Sequence, residues 1–335
     1  MKNRSKPLNL SKLIFVNLLD LFNFRVKKQN YFPQKIGKFN FEKTLKNPTR
    51  GTTLGIYSYR KQKVIVKTYQ GSLKTFKYRI LKNEVEVSKV LNQARQRLIN
   101  KIPAELKDIK IPKTIFVKES TNKLYVGFDY INSVTLKSRP IKERLSTYFK
   151  VIKFLKFLGE NMTANEKNKL SRREPLTLIK LYPLMVMKSS ITHPATVAKL
   201  LKGIPIFYKM SNLIKKLEVV LSHRDLHFEN ILVSKYGIYI IDLEFTLFGP
   251  EIFDEMTTLR HEWSDYKLRI MILKKMISKY RFYNNLPEIL KVISIGIATH
   301  SLTANNFPAG LKKNYINLLD YALKPKAFKE RIINK

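Results

Sequence analysis

The sequence predicts an α+β protein of two lobes, a small β-rich amino-terminal lobe with one main helix and a larger, mostly helical carboxyl-terminal lobe. Three observations carry this prediction. Short β-branched runs broken by turn residues occupy residues 38–70, and an apolar helical pattern follows over 74–100. Strand-like runs at 114–117 and 124–131 complete the first lobe. From about residue 141 onward the pattern is mostly helical.

The chain divides by these patterns into three parts. Residues 1–36 are expected to form an amphipathic, basic extension, residues 37–132 a β-rich lobe, and residues 133–335 the helical lobe. Turn residues break the strands of the first lobe, and prolines interrupt the helices of the second. The strand breaks are Asn47, Pro48, Gly51 and Gly55, and the helix breaks are Pro175, Pro183, Pro194 and Pro205. A hairpin-like stretch at 231–247 is the exception within the helical lobe, and the region 265–332 is helical and basic.

The charge of the chain is its unusual compositional feature. The sequence has 335 residues, with 64 Lys and Arg against 25 Asp and Glu, for a formal net charge of +39. A field of this sign attracts polyanions, so nucleic acid, an anionic membrane surface and phosphorylated saccharides are all candidate partners. The alternative is a lysine-rich solvated surface that reflects compositional bias. The chain has no cysteine, which excludes disulfides and thiolate metal sites and fits a cytoplasmic location.

The segment 8–24 comes closest to a membrane-associated sequence. It carries Lys12, Asn17 and Asp20, so it lacks the uninterrupted apolar run of a membrane span. Its apolar residues have helical spacing, which predicts a helix packed on the core. The alternative is docking at a membrane interface, because basic residues flank the segment on both sides.

The stretch His223–Asn230 concentrates polar groups beside apolar runs. Asp225 and Asn230 lie five residues apart, and Asp242 follows twelve residues later, after the hairpin-like turn. Phosphoryl transfer from Mg·ATP needs such a set, because one carboxylate must orient the attacking hydroxyl while an amide oxygen and a second carboxylate hold Mg²⁺. Two other interpretations remain open, a zinc site built on His223 and His227 and a polar turn without chemistry.

These motifs resemble those of the aminoglycoside phosphotransferase and choline kinase-like superfamily, which has the bilobal protein-kinase fold. HRDLHFENILV at 223–233 and IIDLE at 240–244 are similar to its H-x-D-L-H-x-x-N and I-D-x-E segments, and GPEIFD at 249–254 is similar to a following G-x-x-x-x-D segment. The resemblance implies Asp225 as catalytic residue, with His223 and Arg224 beside it in the catalytic loop. It implies Asn230 and Asp242 as Mg²⁺ ligands.

The resemblance extends to the amino-terminal lobe. Lys67, in VIVK, is similar to the strand lysine that contacts the phosphates of ATP, and Glu84 on the next helix is its implied partner, with Glu86 as the alternative. Asp129 and Ile131 lie where the hinge between the lobes would receive the adenine. Gly51 and Gly55 lie where the phosphate loop would be, although RGTTLG is not G-x-G-x-x-G.

The resemblance therefore implies a kinase that uses ATP and Mg²⁺, although GTP remains open. A chain of this charge with only 25 acids is poorly suited to a cationic acceptor, so we expect a small-molecule or saccharide acceptor, in particular the sugar of a glycolipid or lipopolysaccharide precursor. We expect a cytoplasmic enzyme with peripheral contact to the inner membrane face. The candidate acceptor-binding residues are Lys150, Lys153, Lys156, Arg172 and Arg173. The alternatives are a protein or ribosome-associated kinase with nucleic-acid contact, and a catalytically silent binding module.

Overall fold

The computed structural model describes residues 32–46, 52–70, 76–120, 122–172, 175–303 and 309–328. The predicted amphipathic segment 8–24, Gly51 and Arg173 lie outside these residues. The chain forms two compact units. Unit 1 consists of residues 1–134, 161–170 and 232–245, and unit 2 consists of residues 135–160, 171–231 and 246–335. Unit 1 thus includes two segments that the sequence analysis assigned to the carboxyl-terminal lobe.

Unit 1 is built on an antiparallel sheet of six strands in the order β1-β2-β3-β4-β7-β6. Its strands are β1 Lys35–Ile36, β2 Phe39–Lys46, β3 Thr52–Tyr59, β4 Gln62–Gln70, β6 Thr114–Ser120 and β7 Lys123–Asp129. The helix α1, Phe76–Arg97, contacts β4, β6 and β7. These elements confirm the strands and the main helix that the sequence predicts for this lobe.

The core of unit 1 follows from alternation along the strands. Val64 and Val66 on β4 are fully buried, and Val126 on β7 is buried against Leu81 of α1. Successive side chains of a strand point to opposite faces, so Val64 and Val66 enter one buried cluster, whereas Tyr69 of β4 lies with Val126 and Leu81 in a second cluster. A further group of short strands in unit 1 holds β5 Ile109–Lys110, β11 Gly237–Ile240 and β10 Ile231–Ser234, with β11 parallel to β5.

The predicted strand break at Gly55 is wrong. Gly55 lies inside β3, opposite Thr44 on one side and Val66 on the other. The ring of Phe32 packs so close to its Cα that a Cβ atom would clash with it. The glycine therefore makes room for an aromatic ring instead of turning the chain.

Unit 2 is mainly helical. Its helices are α2 Ile141–Asn161, which ends at the unit boundary, α4 Pro175–Thr192, α5 Val197–Ile214, α6 Phe253–His261, α7 Tyr266–Lys279, α8 Leu286–Ser301 and α9 Ala309–Leu323. The short helix α3, Ala164–Lys169, belongs to unit 1. Of the 16 residues of α8, 13 are buried, and α8 contacts α4, α5, α6 and α9, so it is the central helix of this unit.

Two of the four predicted helix breaks are wrong. Pro183 lies inside α4 and Pro205 inside α5, whereas Pro175 begins α4 and Pro194 lies in the 3₁₀ turn between the two helices. A proline inside a helix removes one main-chain hydrogen bond. Packing against α8 retains both helices despite this loss.

Two strands of unit 2 frame the predicted catalytic loop. β9, Val219–Ser222, pairs antiparallel with β12, Leu247–Pro250, and the loop follows β9 directly. The remaining short strand, β8, is Val134–Thr135. In the described part of the chain, no helix has both the length and the apolar character that a membrane span needs.

Candidate active site

In unit 1, β4 presents Lys67 on the face opposite its buried valines. Lys67 is opposite Leu54 of β3 and Val126 of β7, so both neighbouring strands fix its position. A central position in the sheet allows the main chain little freedom. The side chain therefore leaves the sheet at a defined point.

Lys67 forms a buried network with two carboxylates. Its Nζ lies 2.7 Å from each carboxylate oxygen of Glu84 on α1 and 2.6 Å from Oδ1 of Asp242. Burial opposes the charge of this lysine, but the negative charges of Asp242 and Glu84 outweigh burial and raise its pKa above the ordinary value. Lys67 is thus a cation, and Glu84 rather than Glu86 is its partner.

Asp242 begins a small group of carboxylates. Its main chain has φ +63°, in the left-handed region, and a 3₁₀ turn, Leu243–Phe245, follows it. The carboxylates of Glu84, Asp242 and Glu244 offer ligand atoms that all lie within 4.8 Å of one another. Asn83 of α1 donates a hydrogen bond to the carbonyl oxygen of Glu244 at 2.9 Å and so ties the turn to the helix.

The other predicted nucleotide-binding residues are more dispersed. Asp129 ends β7, and its carboxylate accepts a hydrogen bond of 2.9 Å from the main-chain N–H of Lys113. Ile131 lies two residues further on, and its carbonyl oxygen accepts a hydrogen bond from Ser133. The structure therefore groups Lys67, Glu84 and Asp242, but it gives Asp129 a structural hydrogen bond.

In unit 2, the predicted catalytic loop is held by Asp254 at the start of α6. The carboxylate of Asp254 accepts hydrogen bonds from the main-chain N–H of His223 at 3.0 Å and of Arg224 at 2.7 Å. Arg224 has φ +70°, a left-handed conformation that a non-glycine residue adopts only when its surroundings enforce it. Thr258, one turn further along α6, donates to the carbonyl oxygen of Leu226 at 2.6 Å.

The side chains of His223 and Arg224 have structural contacts. His223 is fully buried, and its Nδ1 accepts a long hydrogen bond of 3.4 Å from the main-chain N–H of Asp225. The guanidinium of Arg224 lies over the ring of Phe253, 4.5 Å from its centroid. The contact of His223 is thus with the main chain of the loop itself.

Asp225 and Asn230 occupy the two ends of the loop. The Nδ2 group of Asn230 donates to the main-chain carbonyl of Asp225 at 2.9 Å. Because this bond uses the amide nitrogen, the oxygen Oδ1 is the atom of Asn230 that suits a cation. The loop thus carries a carboxylate and an amide oxygen in one fixed unit.

Two residues of α6 that sequence reasoning missed lie beside Asp225. Arg260 Nη2 lies 3.5 Å and His261 Nε2 lies 3.8 Å from Oδ1 of Asp225. Burial opposes the charge of Asp225, but nearby positive charge, above all that of Arg260, outweighs burial and holds the pKa of this carboxyl well below its ordinary value. Asp225 is therefore an ionised carboxylate at neutral pH.

His261 is a neutral ring. Arg260 Nη2 lies 2.8 Å from His261 Nε2, and because arginine only donates hydrogen bonds, this nitrogen accepts. Burial, together with the positive charge of Arg260, lowers the pKa of His261 to about 4. The ring stacks on His227 at a centroid distance of 4.4 Å.

The positions of the histidines near Asp225 test the alternative of a zinc site built on His223 and His227. Among the described residues, ligand atoms of His227 cluster with those of Asp225 and His261, and His223 is not in that cluster. The guanidinium of Arg260 already donates to His261, and a fixed positive charge disfavours a cation at this position. The predicted pairing of His223 with His227 as zinc ligands receives no support from this arrangement.

The predicted acceptor-binding lysines lie on α2, in unit 2. Lys156 pairs with Glu218 at 3.0 Å and with Glu160 at 3.9 Å. Lys150 and Lys153 lie on the same helix, and Arg172 forms a β-bridge with Phe248. The acidic partners of Lys156 are thus Glu160 and Glu218 and do not include Asp225.

Comparison with known proteins gives a family match and a shared fold. Residues 194–273 match the model of the phosphotransferase enzyme family, APH. This matched segment includes the predicted catalytic loop. A thermostable mutant of aminoglycoside phosphotransferase APH(4)-Ia, in ternary complex with AMP-PNP and hygromycin B, is similar over 87% of this chain and 93% of its own, with a TM-score of 0.56 and 12% identity. Among curated protein sequences, none is significantly similar to this chain.

Two further solved structures share the fold. An ethanolamine kinase from Plasmodium vivax is similar over 96% of both chains, with a TM-score of 0.54 and 13% identity. The AMP-bound complex of a spectinomycin phosphotransferase is similar over 82% of this chain and 91% of its own, with a TM-score of 0.52 and 13% identity. At such identities the likeness concerns the fold.

These findings confirm the protein-kinase-like fold class that the sequence predicts. They also confirm the resemblance to the aminoglycoside phosphotransferase and choline kinase-like superfamily. The family match and the shared fold support a phosphotransferase with a hydroxyl acceptor.

Proposed function

We propose that the enzyme transfers the γ-phosphate of Mg·ATP to a hydroxyl group of a small molecule or saccharide, with Asp225 as the catalytic residue. The observation that carries this proposal is the environment of Asp225, an ionised carboxylate beside Arg260 on a loop that also presents Asn230. In the reaction, the bond between the γ-phosphorus and the bridging oxygen of ADP breaks, and a bond to the acceptor oxygen forms. The acceptor proton passes to Asp225.

The low pKa of Asp225 bears on its role. A weakly basic carboxylate removes a proton poorly before the phosphoryl group arrives, but it accepts a hydrogen bond from the acceptor hydroxyl and aligns it. Phosphoryl transfer passes through a loose transition state in which positioning contributes most of the catalysis. Orientation of the hydroxyl is therefore the main contribution of Asp225, with proton acceptance late.

Lys67, Glu84, Asp129, Ile131, Gly51 and Gly55 are the proposed nucleotide-binding residues. Lys67 is a cation that Glu84 holds on a central strand, which suits the neutralisation of non-transferred phosphates. The solved structures with AMP-PNP and AMP support nucleotide binding by this fold. The hinge and loop residues rest on the sequence resemblance alone.

The donor atoms fit a magnesium ion. Mg²⁺ prefers oxygen ligands, and Asn230 Oδ1 and the carboxylate of Asp242 are of this type. The hydrogen bond from Asn230 Nδ2 to Asp225 orients the amide in the required sense. When bound, Mg²⁺ neutralises charge on the β- and γ-phosphates.

The net charge supports an anionic or membrane-bound acceptor. A formal charge of +39 favours polyanions, and a sugar of a glycolipid or lipopolysaccharide precursor provides both phosphate groups and a hydroxyl. Such an acceptor requires an enzyme that contacts the inner membrane face from the cytoplasm. The alternatives are transfer to protein or to ribosome-bound targets, and nucleotide binding without transfer.

The test uses γ-labelled ATP with Mg²⁺ and full-length protein, with either a glycolipid extract or soluble sugars and amino alcohols as acceptor. Asp225→Asn should reduce transfer at least about 1,000-fold and leave nucleotide affinity within about twofold. Asp108→Asn, a matched change at an exposed site, should leave transfer unchanged. Transfer by Asp225→Asn at the wild-type rate would contradict the role of Asp225. Label in soluble amino alcohols alone would contradict the glycolipid acceptor.

A further inference from the structure

The helices α4 and α5 form a hairpin in unit 2 with an apolar outer surface. Met187 and Ile191 of α4 are 46% and 64% exposed, and Leu201 and Tyr208 of α5 are 55% and 41% exposed. The described part of unit 2 exposes two other large apolar side chains, Tyr266 and Phe282. Most of its exposed apolar side chains therefore belong to this hairpin.

The exposed residues have helical spacing. On α4, Pro183, Met187 and Ile191 are four residues apart and are all exposed, so they form one stripe. On α5, Leu201 and Tyr208 lie two turns apart. The outer surface is thus continuous along each helix, as in a helix that lies on an apolar medium.

The opposite sides of α4 and α5 pack in the core of unit 2. Tyr182 of α4 stacks on Phe207 of α5 at a centroid distance of 3.8 Å, and both rings are fully buried. Both helices also contact the central helix α8. The hairpin therefore has an apolar side for its own unit and a second apolar side that this unit does not cover.

The charges on the hairpin all have one sign. The 43 residues from 175 to 217 contain seven lysines and no Asp, Glu or Arg. The lysines are Lys180, Lys188, Lys199, Lys202, Lys209, Lys215 and Lys216. Lys202 and Lys209 are exposed on α5, beside Leu201 and Tyr208.

We propose that the α4–α5 hairpin is the surface by which the enzyme docks on an anionic lipid bilayer. Exposed aliphatic side chains enter the boundary between headgroups and acyl chains, while lysines attract anionic headgroups. An interfacial helix needs both features, and here they occur together on one pair of packed helices. Docking itself does not require phosphotransfer. Its purpose, access to a lipid-linked acceptor, rests on the proposed function.

Other partners fit this surface less well. In a two-fold symmetric dimer the same patch faces itself, so the exposed Lys202 and Lys209 of each copy would approach a surface of like charge, because the hairpin itself contains no acid. Nucleic-acid interfaces are polar as well as cationic, so they would leave the exposed Met187, Ile191 and Leu201 without an apolar partner. Of these three partners, an anionic lipid surface is the one that suits both the aliphatic and the cationic side chains.

The test is sedimentation of the full-length protein with vesicles, without nucleotide. Wild-type protein should bind vesicles of phosphatidylglycerol and phosphatidylcholine and should not bind pure phosphatidylcholine. The double variants Met187→Ser/Ile191→Ser and Lys202→Gln/Lys209→Gln should each bind about tenfold more weakly. The matched controls Tyr266→Ser/Phe282→Ser and Lys267→Gln/Lys275→Gln, at exposed positions on other elements, should bind like wild type.

Three outcomes would overturn the proposal. Wild-type protein could fail to bind anionic vesicles, or the hairpin variants could bind as tightly as their controls, which would assign the binding to another part of the chain. A wild-type dimer that dissociates in Met187→Ser/Ile191→Ser, without vesicle binding, would make the hairpin a self-association surface. Thermal unfolding of each variant checks that it is folded. Transfer to a soluble acceptor tests the proposed function separately.

Discussion

Lys67 donates to both carboxylate oxygens of Glu84, with each distance 2.7 Å, and both side chains are almost entirely buried. A buried ion pair differs from a surface pair in what happens when one member is removed. The remaining charge keeps its desolvation penalty and loses its compensation. The pair therefore has a measurable signature in stability that is separate from catalysis.

Replacing Lys67 with Met should destabilise the protein by about 3–5 kcal/mol, because Glu84 is left buried without its partner. The double variant Lys67→Met/Glu84→Gln should recover more than half of this loss. The control is Lys63→Met, at a lysine that lies on β4 like Lys67 but forms an exposed ion pair with Glu42 of β2. This change should alter stability by less than about 1 kcal/mol. Urea unfolding measures all three. Equal stability of the single and double variants would argue against this account.

Asp254 should be essential for the conformation of the catalytic loop. The N–H groups of His223 and Arg224 donate to different oxygens of Asp254, and Asp254→Asn replaces one of these oxygens with an NH2 group that cannot accept. We expect kcat to fall at least about 100-fold, with a stability loss of about 1–3 kcal/mol. Steady-state kinetics with varied ATP should show a small change in KM.

The control for Asp254 is Asp265, a second acid that accepts a main-chain hydrogen bond in unit 2. Asp265 caps α7 by accepting from the N–H of Leu268 at 3.0 Å. Asp265→Ala should lose about 1 kcal/mol of stability and keep its kcat. Comparable losses of kcat in both variants would show that general destabilisation, not the loop, lowers the rate.

Arg260 should set the acid limit of activity. Its charge favours the ionised form of Asp225, so Arg260→Gln should raise the pKa of Asp225 and move the acid limb of the kcat profile to higher pH. Arg260→Lys keeps the charge and should retain the acid limb, with reduced kcat because the fork to Asp225 and Ser301 is lost.

A pH profile that runs from pH 8 down to the lowest pH at which each protein stays folded tests this prediction for Arg260. Arg269→Gln is the matched control, because the Nη1 of Arg269 donates to the carbonyl oxygen of Trp263 at 2.9 Å. Its acid limb should coincide with that of wild type. An unchanged limb in Arg260→Gln would show that other groups keep Asp225 ionised.

His261 should make the folded state sensitive to acid. Its pKa is about 4 when folded and about 6.5 when unfolded, so between these values the unfolded chain binds the extra proton. Stability therefore falls as the pH drops from 6.5 to 4, by about 3 kcal/mol for this group. The loss is complete below pH 4.

The measurement is denaturant unfolding at pH 7 and at pH 4.5, in wild type and in His261→Gln. The variant should lose less stability between the two values than wild type, whatever its stability at pH 7. His227 also has a pKa lowered mainly by burial and contributes in the same direction, so some pH dependence should remain. A steeper pH dependence in His261→Gln would contradict the sign of the effect.

The sequence predicts those residues of the candidate site that lie close together along the chain. Asp225, Asn230 and Asp242 lie within eighteen residues of sequence, on a loop and hairpin whose spacing can be read directly. Arg260 and His261 contact Asp225 only because α6 folds back after 35 residues, and no local pattern marks them. The rarity of histidine, with five in the chain, is the one signal that could have drawn attention to His261.

Errors in the fold came from residues with two possible roles. Gly55 is a residue type that is common in turns, yet it lies within β3, where the ring of Phe32 fills the space beside it. Pro183 and Pro205 have the signature of helix ends, yet tertiary contacts with α8 preserve α4 and α5 around them. In each case packing between distant segments outweighed a local preference of the chain.

Unit 1 is assembled from three separate stretches of the polypeptide, and this limits how the protein can be divided. A fragment that stops at residue 134 would lack Asp242 and the strand β11 that pairs with β5. It would also lack Glu166, which pairs with Arg97 of α1 at 2.6 Å. Expression of the first 134 residues alone should therefore yield an insoluble or unstable product. Isotope labelling by segments, or insertion of a reporter domain, has to leave the chain intact through residue 245.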